Sequence, residues 1–236
     1  MARYTASAPE GLQGRPILLR HQLAYGGGNL LGSGALAISG AWLLYFYTTF
    51  CGLTLIEASF IFSVASIIDA ISNPLMGYLT DNFGKTRLGK RFGRRRFFLL
   101  IGIPLMMFYP LLWVEGLSFW YYLCTYVVFE IIYTSIMVPY ETLATEMTDD
   151  FSLRSKLTGY KAIFGKLANF LAAFIPGQFI LLYGKDSATP FFLTGLTYGV
   201  ILIVAISCLW LCSWERERAE AVETSAKKGL LSTLLS

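Results

Sequence analysis

The chain has 236 residues, of which 55% are hydrophobic and only 14% charged, with a formal net charge of +4. A soluble domain carries about 25% charged residues, so this composition excludes a water-solvated globule and makes a bilayer the fitting solvent. The cysteines Cys51, Cys124, Cys208 and Cys212 have no CxxC or histidine-paired spacing, which excludes a structural metal centre, and they read as small buried apolar side chains.

In chain order, residues 1–22 are polar and broken by Pro9, Gly11, Gly14 and Pro16, unlike a cleavable signal, so the first apolar run is expected to direct insertion. His21, the single histidine, stands at the edge of that run and reads as interfacial. A membrane helix needs about 20 apolar residues, and residues 23–50, 57–82, 97–114, 117–147, 160–183 and 191–214 each meet or approach that length. Between the second and third runs come Lys85, Arg87, Lys90, Arg91, Arg94, Arg95 and Arg96; between the fourth and fifth lie Arg154 and Lys156. The connections on the opposite side hold one basic residue, Lys185. By the positive-inside rule both termini and both basic loops are expected to be cytoplasmic. The arginine run is flanked by membrane spans, so no nucleic-acid partner is expected. Residues 23–214 thus form one bundle, and residues 215–236 a cytoplasmic tail that resembles the start of a central loop. The expected fold is an all-α membrane protein with six transmembrane helices and lipid as its solvent.

The segment from Gly77 through Asp81, Asn82 and Gly84 to Lys85 follows the GxxxD-(R/N)-x-G-(R/K) loop of major facilitator transporters. Gly77 would let a neighbouring helix approach closely. Asp81, at a helix end, can accept hydrogen bonds from a cytoplasmic arginine. More specific are Tyr25-Gly-Gly-Gly-Asn29, Tyr45-Phe-Tyr-Thr48, the stretch from Asp69 through Ser72, Asn73 and Pro74 to Gly77, Thr86 to Arg96, and Val138-Pro139-Tyr140-Glu141. On these motifs the chain resembles the amino-terminal half of the glycoside-pentoside-hexuronide:cation symporter family. That resemblance implies two six-helix bundles with sugar bound between them near the midplane, in a bacterial inner membrane. The partner half would be six further helices or a second copy.

Intramembrane ionisable groups are functional candidates because they are expensive to bury in lipid. Asp69, Ser72 and Asn73 share one helical face by their i, i+3, i+4 spacing, offering oxygens to a hard cation. In the family two aspartates here bind the coupling ion with a helix-four threonine, matching Thr134; this sequence has Asn73 at the second aspartate. Glu130, Thr134, Met137 and Glu141 form one stripe on the fourth helix. Met137 and Glu141 hold the family's sugar-binding aspartate and tryptophan positions. Asn29 or Ser33 corresponds to a sugar-contacting carboxylate on the first helix, and Lys161 to a basic residue that reaches the pocket from the fifth. Lys166 adds a second cation further along.

Neutral replacements for carboxylates beside two cations shift the expected pocket toward positive charge. The resemblance therefore implies a sugar:cation symporter for glycosides or uronides, with anionic oligosaccharides such as oligogalacturonides favoured. Sodium or protons would be the coupling ion, with no cofactor. No Ser/His/Asp set or phosphate-cradling loop indicates an enzyme. The rival readings are an intramembrane enzyme, with Asp69 facing Glu130 or Glu141, and a truncated or half-size protein that does not transport.

Overall fold

Two of the long helices in this chain are started by polar side chains standing just outside apolar runs. The Thr54 hydroxyl accepts the Glu57 N–H at 3.2 Å while the Glu57 carboxylate accepts the Thr54 N–H at 2.8 Å, a reciprocal cap that starts the second helix. The Asp150 carboxylate accepts the Ser152 N–H at 2.7 Å and starts the fifth. A computed structural model describes residues 16–215. The expected terminal segments lie largely outside the described residues, with Arg3, Arg15, Arg216, Arg218, Lys227 and Lys228 among them.

Six helices are long and apolar enough to cross a membrane: α1 (Leu19–Thr49), α2 (Leu55–Phe83), α3 (Arg96–Trp113), α4 (Phe119–Met147), α5 (Phe151–Tyr183) and α6 (Thr189–Cys212). A short helix, Arg87–Phe92, bridges α2 and α3, and no strand occurs among the described residues. The fold is the all-α, six-helix bundle expected from hydropathy. One boundary differs clearly: α5 begins at Phe151 rather than at residue 160. Hydropathy marks only the lipid-immersed part of a helix, whereas the Asp150 cap lets polar residues extend it toward water. At about 1.5 Å per residue, its 33 residues reach about 50 Å, longer than a hydrocarbon core of about 30 Å.

The bundle is organised around α1, which packs against α5 and α6; α2 packs on α4, α3 on α6 and α4, and α5 on α6. α1 is not a uniform α-helix. Leu30–Ala35 and Ser39–Leu43 are π-helical, and its carbonyls receive hydroxyls from surrounding helices. Tyr140 donates to the Tyr25 carbonyl at 2.8 Å, Tyr198 to Leu30 at 2.8 Å, Tyr133 to Gly32 at 3.2 Å and Tyr109 to Ala35 at 3.4 Å. A backbone group in lipid must be satisfied within the protein, and these tyrosines do so where the helix is irregular. The approach is close: a Cβ added at Gly34 would lie 1.6 Å from the Tyr198 hydroxyl oxygen.

At the end remote from the arginine loop, Phe46, Tyr47, Trp113, Tyr122 and Phe191 form a buried aromatic cluster, with Tyr47 and Tyr122 centroids 5.0 Å apart. α2 is the outermost helix and presents Ile67, Ile71, Leu75 and Tyr78 outward. Two expectations are corrected here. No atom lies within 4 Å of where a Gly77 Cβ would stand, so within the described residues Gly77 does not mediate close helix approach. It stands on the side of α2 turned from the bundle, while Met76 and Thr80 beside it are buried. The cysteines are not core residues either, since Cys124 and Cys208 are exposed and Cys51 and Cys212 half-buried. An apolar surround accepts a thiol as readily as a core does, so hydropathy could not separate the two settings.

Candidate functional site

α2 and α4 bring Asp69 and Thr134 together. The Thr134 hydroxyl, on a residue only 1% exposed, donates to Asp69 Oδ1 at 2.7 Å. Asn73 Nδ2, one turn along α2, donates to Asp69 Oδ2 at 3.0 Å and to the Asp69 carbonyl at 3.0 Å. Both carboxylate oxygens therefore accept a hydrogen bond. Ser72 is half-buried and makes no hydrogen bond to this group among the described residues. One turn before Thr134 on the same face stands Glu130, 8% exposed, with the Tyr126 hydroxyl and Asp69 as its polar and charged neighbours.

The second group lies between α1, α4 and α5. Asn29 is buried and donates through Nδ2 to the Lys161 carbonyl at 2.9 Å, so α1 is tied to α5 where the sugar residues were expected. Ser33 and Asn29 both face Gly165, whose missing side chain leaves them room, and the Met137 terminal methyl lies against Gly32. Lys161 forms an ion pair with Glu141, its ammonium also sitting 5.6 Å from the Tyr140 ring centroid. To the positive charge expected from Lys161 and Lys166 the structure adds a partner for one of them: Glu141 balances Lys161, because neighbouring turns of α4 and α5 bring the two within contact. Lys166 is exposed and unpaired among the described residues.

At the arginine-rich end, Arg95 Nη1 donates to Glu146 Oε1 at 2.7 Å and to the Thr142 carbonyl at 3.2 Å, and Nη2 to Asp81 Oδ1 at 3.2 Å. Arg94 also pairs with Glu146. Lys85 donates to the Asn82 side-chain oxygen at 3.0 Å, and Gly84 packs beside Arg94. The Glu215 carboxylate accepts N–H groups from Arg94 at 2.9 Å, Arg95 at 2.8 Å and Arg96 at 2.6 Å. An anion on orphan N–H groups at a helix start is favourable. These contacts fasten α2, α3, α4 and the end of α6 together at one face.

Sequence reasoning missed Glu146, Glu215 and the tyrosines that hold α1. The glycines from Gly26 to Gly34 were the available signal that α1 would be irregular and closely approached. Glu146 and Glu215 carried only a weak one, acidic residues at helix ends near a basic loop.

A six-helix bundle with polar clusters along its membrane-length helices and an ionic fastening at one end defines a polytopic membrane module. The chain belongs to the MFS/sugar transport protein family, whose model matches residues 24–234; it is of the glycoside-pentoside-hexuronide:cation symporter type, a family of transporters and not of enzymes. It is 27% identical over 221 residues to an uncharacterized symporter, YnaJ, of Bacillus subtilis (strain 168), covering 91% of this chain and 46% of that protein. It is 26% identical to the glucuronide carrier protein homolog of Escherichia coli (strain K12), covering 88% of this chain and 45% of that one. To the isoprimeverose transporter of Lactiplantibacillus pentosus it is 26% identical, covering 78% and 39%. The chain spans less than half the length of these relatives.

Proposed function

We propose that these six helices act in a sugar:cation symporter of the bacterial inner membrane, with glycosides or uronides as substrate and sodium or protons as the coupling ion, moved by alternating access. The observation that carries this reading is the 2.7 Å hydrogen bond from Thr134 to Asp69 between α2 and α4. In this reading the Asp69 carboxylate, the Thr134 hydroxyl and the Asn73 amide would offer oxygens to a small cation, one helix away from the Asn29, Met137 and Lys161 group that would meet the sugar. Both termini and the Arg94 to Arg96 end are cytoplasmic in this reading, and the sugar site is completed by six further helices or a second copy.

The finer reading is an anionic substrate such as an oligogalacturonide, supported by the unpaired Lys166 and by a Lys161 that a uronate could recruit from Glu141. A neutral glycoside is favoured by one specific observation, that the Lys161–Glu141 pair carries no net charge. Uptake into proteoliposomes under an imposed sodium or proton gradient tests the function, with a glucuronide, a galacturonate dimer and a neutral galactoside in competition. Gradient-driven accumulation of any of these supports symport; absence of uptake of all three under both gradients contradicts it.

A further inference from the structure

The cation reading leaves one buried charge without a task. Glu130 is 8% exposed in the middle of α4 and lies on the same face as Thr134, one turn away. Its charged neighbour is another carboxylate, Asp69. The ion pairs among the described residues engage Asp81, Glu141 and Glu146, and no basic side chain pairs with Asp69 or Glu130. Two neighbouring acidic groups repel when both are charged, and Glu130, 8% exposed, has also lost much of its hydration. A cation held between them relieves both penalties.

We infer that Glu130 supplies the second negative charge of the Asp69 site, so that Asp69, Thr134, the Asn73 amide oxygen and Glu130 together bind one sodium ion. The inference rests on the proposed role of Asp69 and deepens it. Asn73 contributes a neutral oxygen from α2, and the compensating carboxylate comes from α4, approaching from the other side of Thr134. Binding would therefore draw α2 and α4 together through opposite charges. The set is all oxygen, which suits a hard cation; calcium commonly takes about 6 to 8 oxygens, several of them carboxylate. Here Asp69 already accepts from Thr134 and Asn73, leaving a small site of low charge.

All four side chains lie within this chain, so sodium binding can be measured on the purified chain in nanodiscs, without transport. The readout is thermal unfolding by tryptophan fluorescence in sodium chloride against equimolar choline chloride. The parent is expected to show a saturable, sodium-specific rise in unfolding temperature. Glu130→Gln is expected to raise the sodium half-saturation about tenfold or more, while Glu115→Gln, a change in an exposed loop, leaves it unaltered. If Glu130→Gln does not yield folded protein, Glu130→Asp decides: a half-saturation moved about threefold or more supports the site, and an unmoved one overturns it. A parent indifferent to sodium, a response to calcium alone, or an unaltered half-saturation in Glu130→Gln also overturns the inference. Glu130-dependent sodium binding without any sugar uptake would uphold this site and sink the transport reading; sugar symport indifferent to Glu130 would do the reverse.

Discussion

Thr134 on α4 donates its hydroxyl to Asp69 on α2 at 2.7 Å, and this one hydrogen bond joins two helices through the group proposed to hold the coupling ion. A hydrogen bond to a charged acceptor contributes about 1.5 to 3 kcal/mol. Thr134→Val keeps the shape and removes the donor. The expected outcome is a cation half-saturation about 10-fold to 100-fold higher for uptake, with protein abundance in the membrane preserved. An unchanged cation dependence would detach Thr134 from the site.

Arg95 is the hub of the ionic fastening, with Asp81 and Glu146 on its two amino groups. Its side chain is 10% exposed and that of Glu146 15% exposed, so removing Arg95 strands a largely buried carboxylate. Breaking such a pair costs about 3 to 5 kcal/mol, although Arg94, also on Glu146, offsets part of this. Arg95→Ala should therefore lower the unfolding temperature much more than Lys85→Ala, whose partner Asn82 is neutral. Thermal unfolding of both variants in the same detergent checks the ranking.

Gly34 faces the Tyr198 hydroxyl with no room for a side chain. Gly34→Ala should displace Tyr198 from the Leu30 carbonyl and disturb the π-helical segment that positions Asn29 and Ser33. Overpacking of this kind costs about 1 to 3 kcal/mol. Hydrogen–deuterium exchange should report faster exchange across α1, and unchanged exchange there would show that α1 absorbs the methyl group elsewhere.

The helices were legible in the sequence because lipid demands long apolar runs. The α2 and α4 stripes were legible because a helix repeats its faces every turn. That is why Asp69 and Asn73 were expected on one face, whereas Thr134 was joined to them by the family resemblance. What periodicity cannot reveal is which side chains from different helices meet: Glu141 and Lys161 were both singled out, yet their pairing depends on how α4 and α5 lie against each other. The tyrosine hydroxyls on α1 escaped for the same reason, since an aromatic in an apolar run looks like packing until its oxygen is located. Gly77 shows the opposite error, a motif residue whose close neighbour is absent among the described residues.

The proposed orientation rests on the positive-inside rule. With the short helix Arg87–Phe92 cytoplasmic, a cysteine in place of Lys90 should resist an impermeant thiol reagent in intact cells. A cysteine in place of Asp186, in the opposite loop, should react. The reverse pattern would invert the topology.

Lys161 and Lys166 bear on substrate charge in different ways. Lys166→Gln should weaken uptake of a galacturonate dimer more than uptake of a neutral galactoside, because an unpaired ammonium attracts a carboxylate and not a neutral sugar. Lys161→Gln leaves Glu141 unpaired and should impair both substrates. Competition assays normalised to membrane protein separate these outcomes, and an unchanged preference in Lys166→Gln would favour the neutral glycosides.

The central claim is that Asp69 couples cation to sugar. The most direct measurement compares Asp69→Asn with the parent protein in proteoliposomes, in two modes: accumulation driven by a cation gradient, and equilibrium counterflow of sugar with no gradient. Asparagine preserves the size of the side chain and removes its charge. Gradient-driven accumulation is expected to be lost while counterflow persists. Accumulation at the parent level in Asp69→Asn would contradict it.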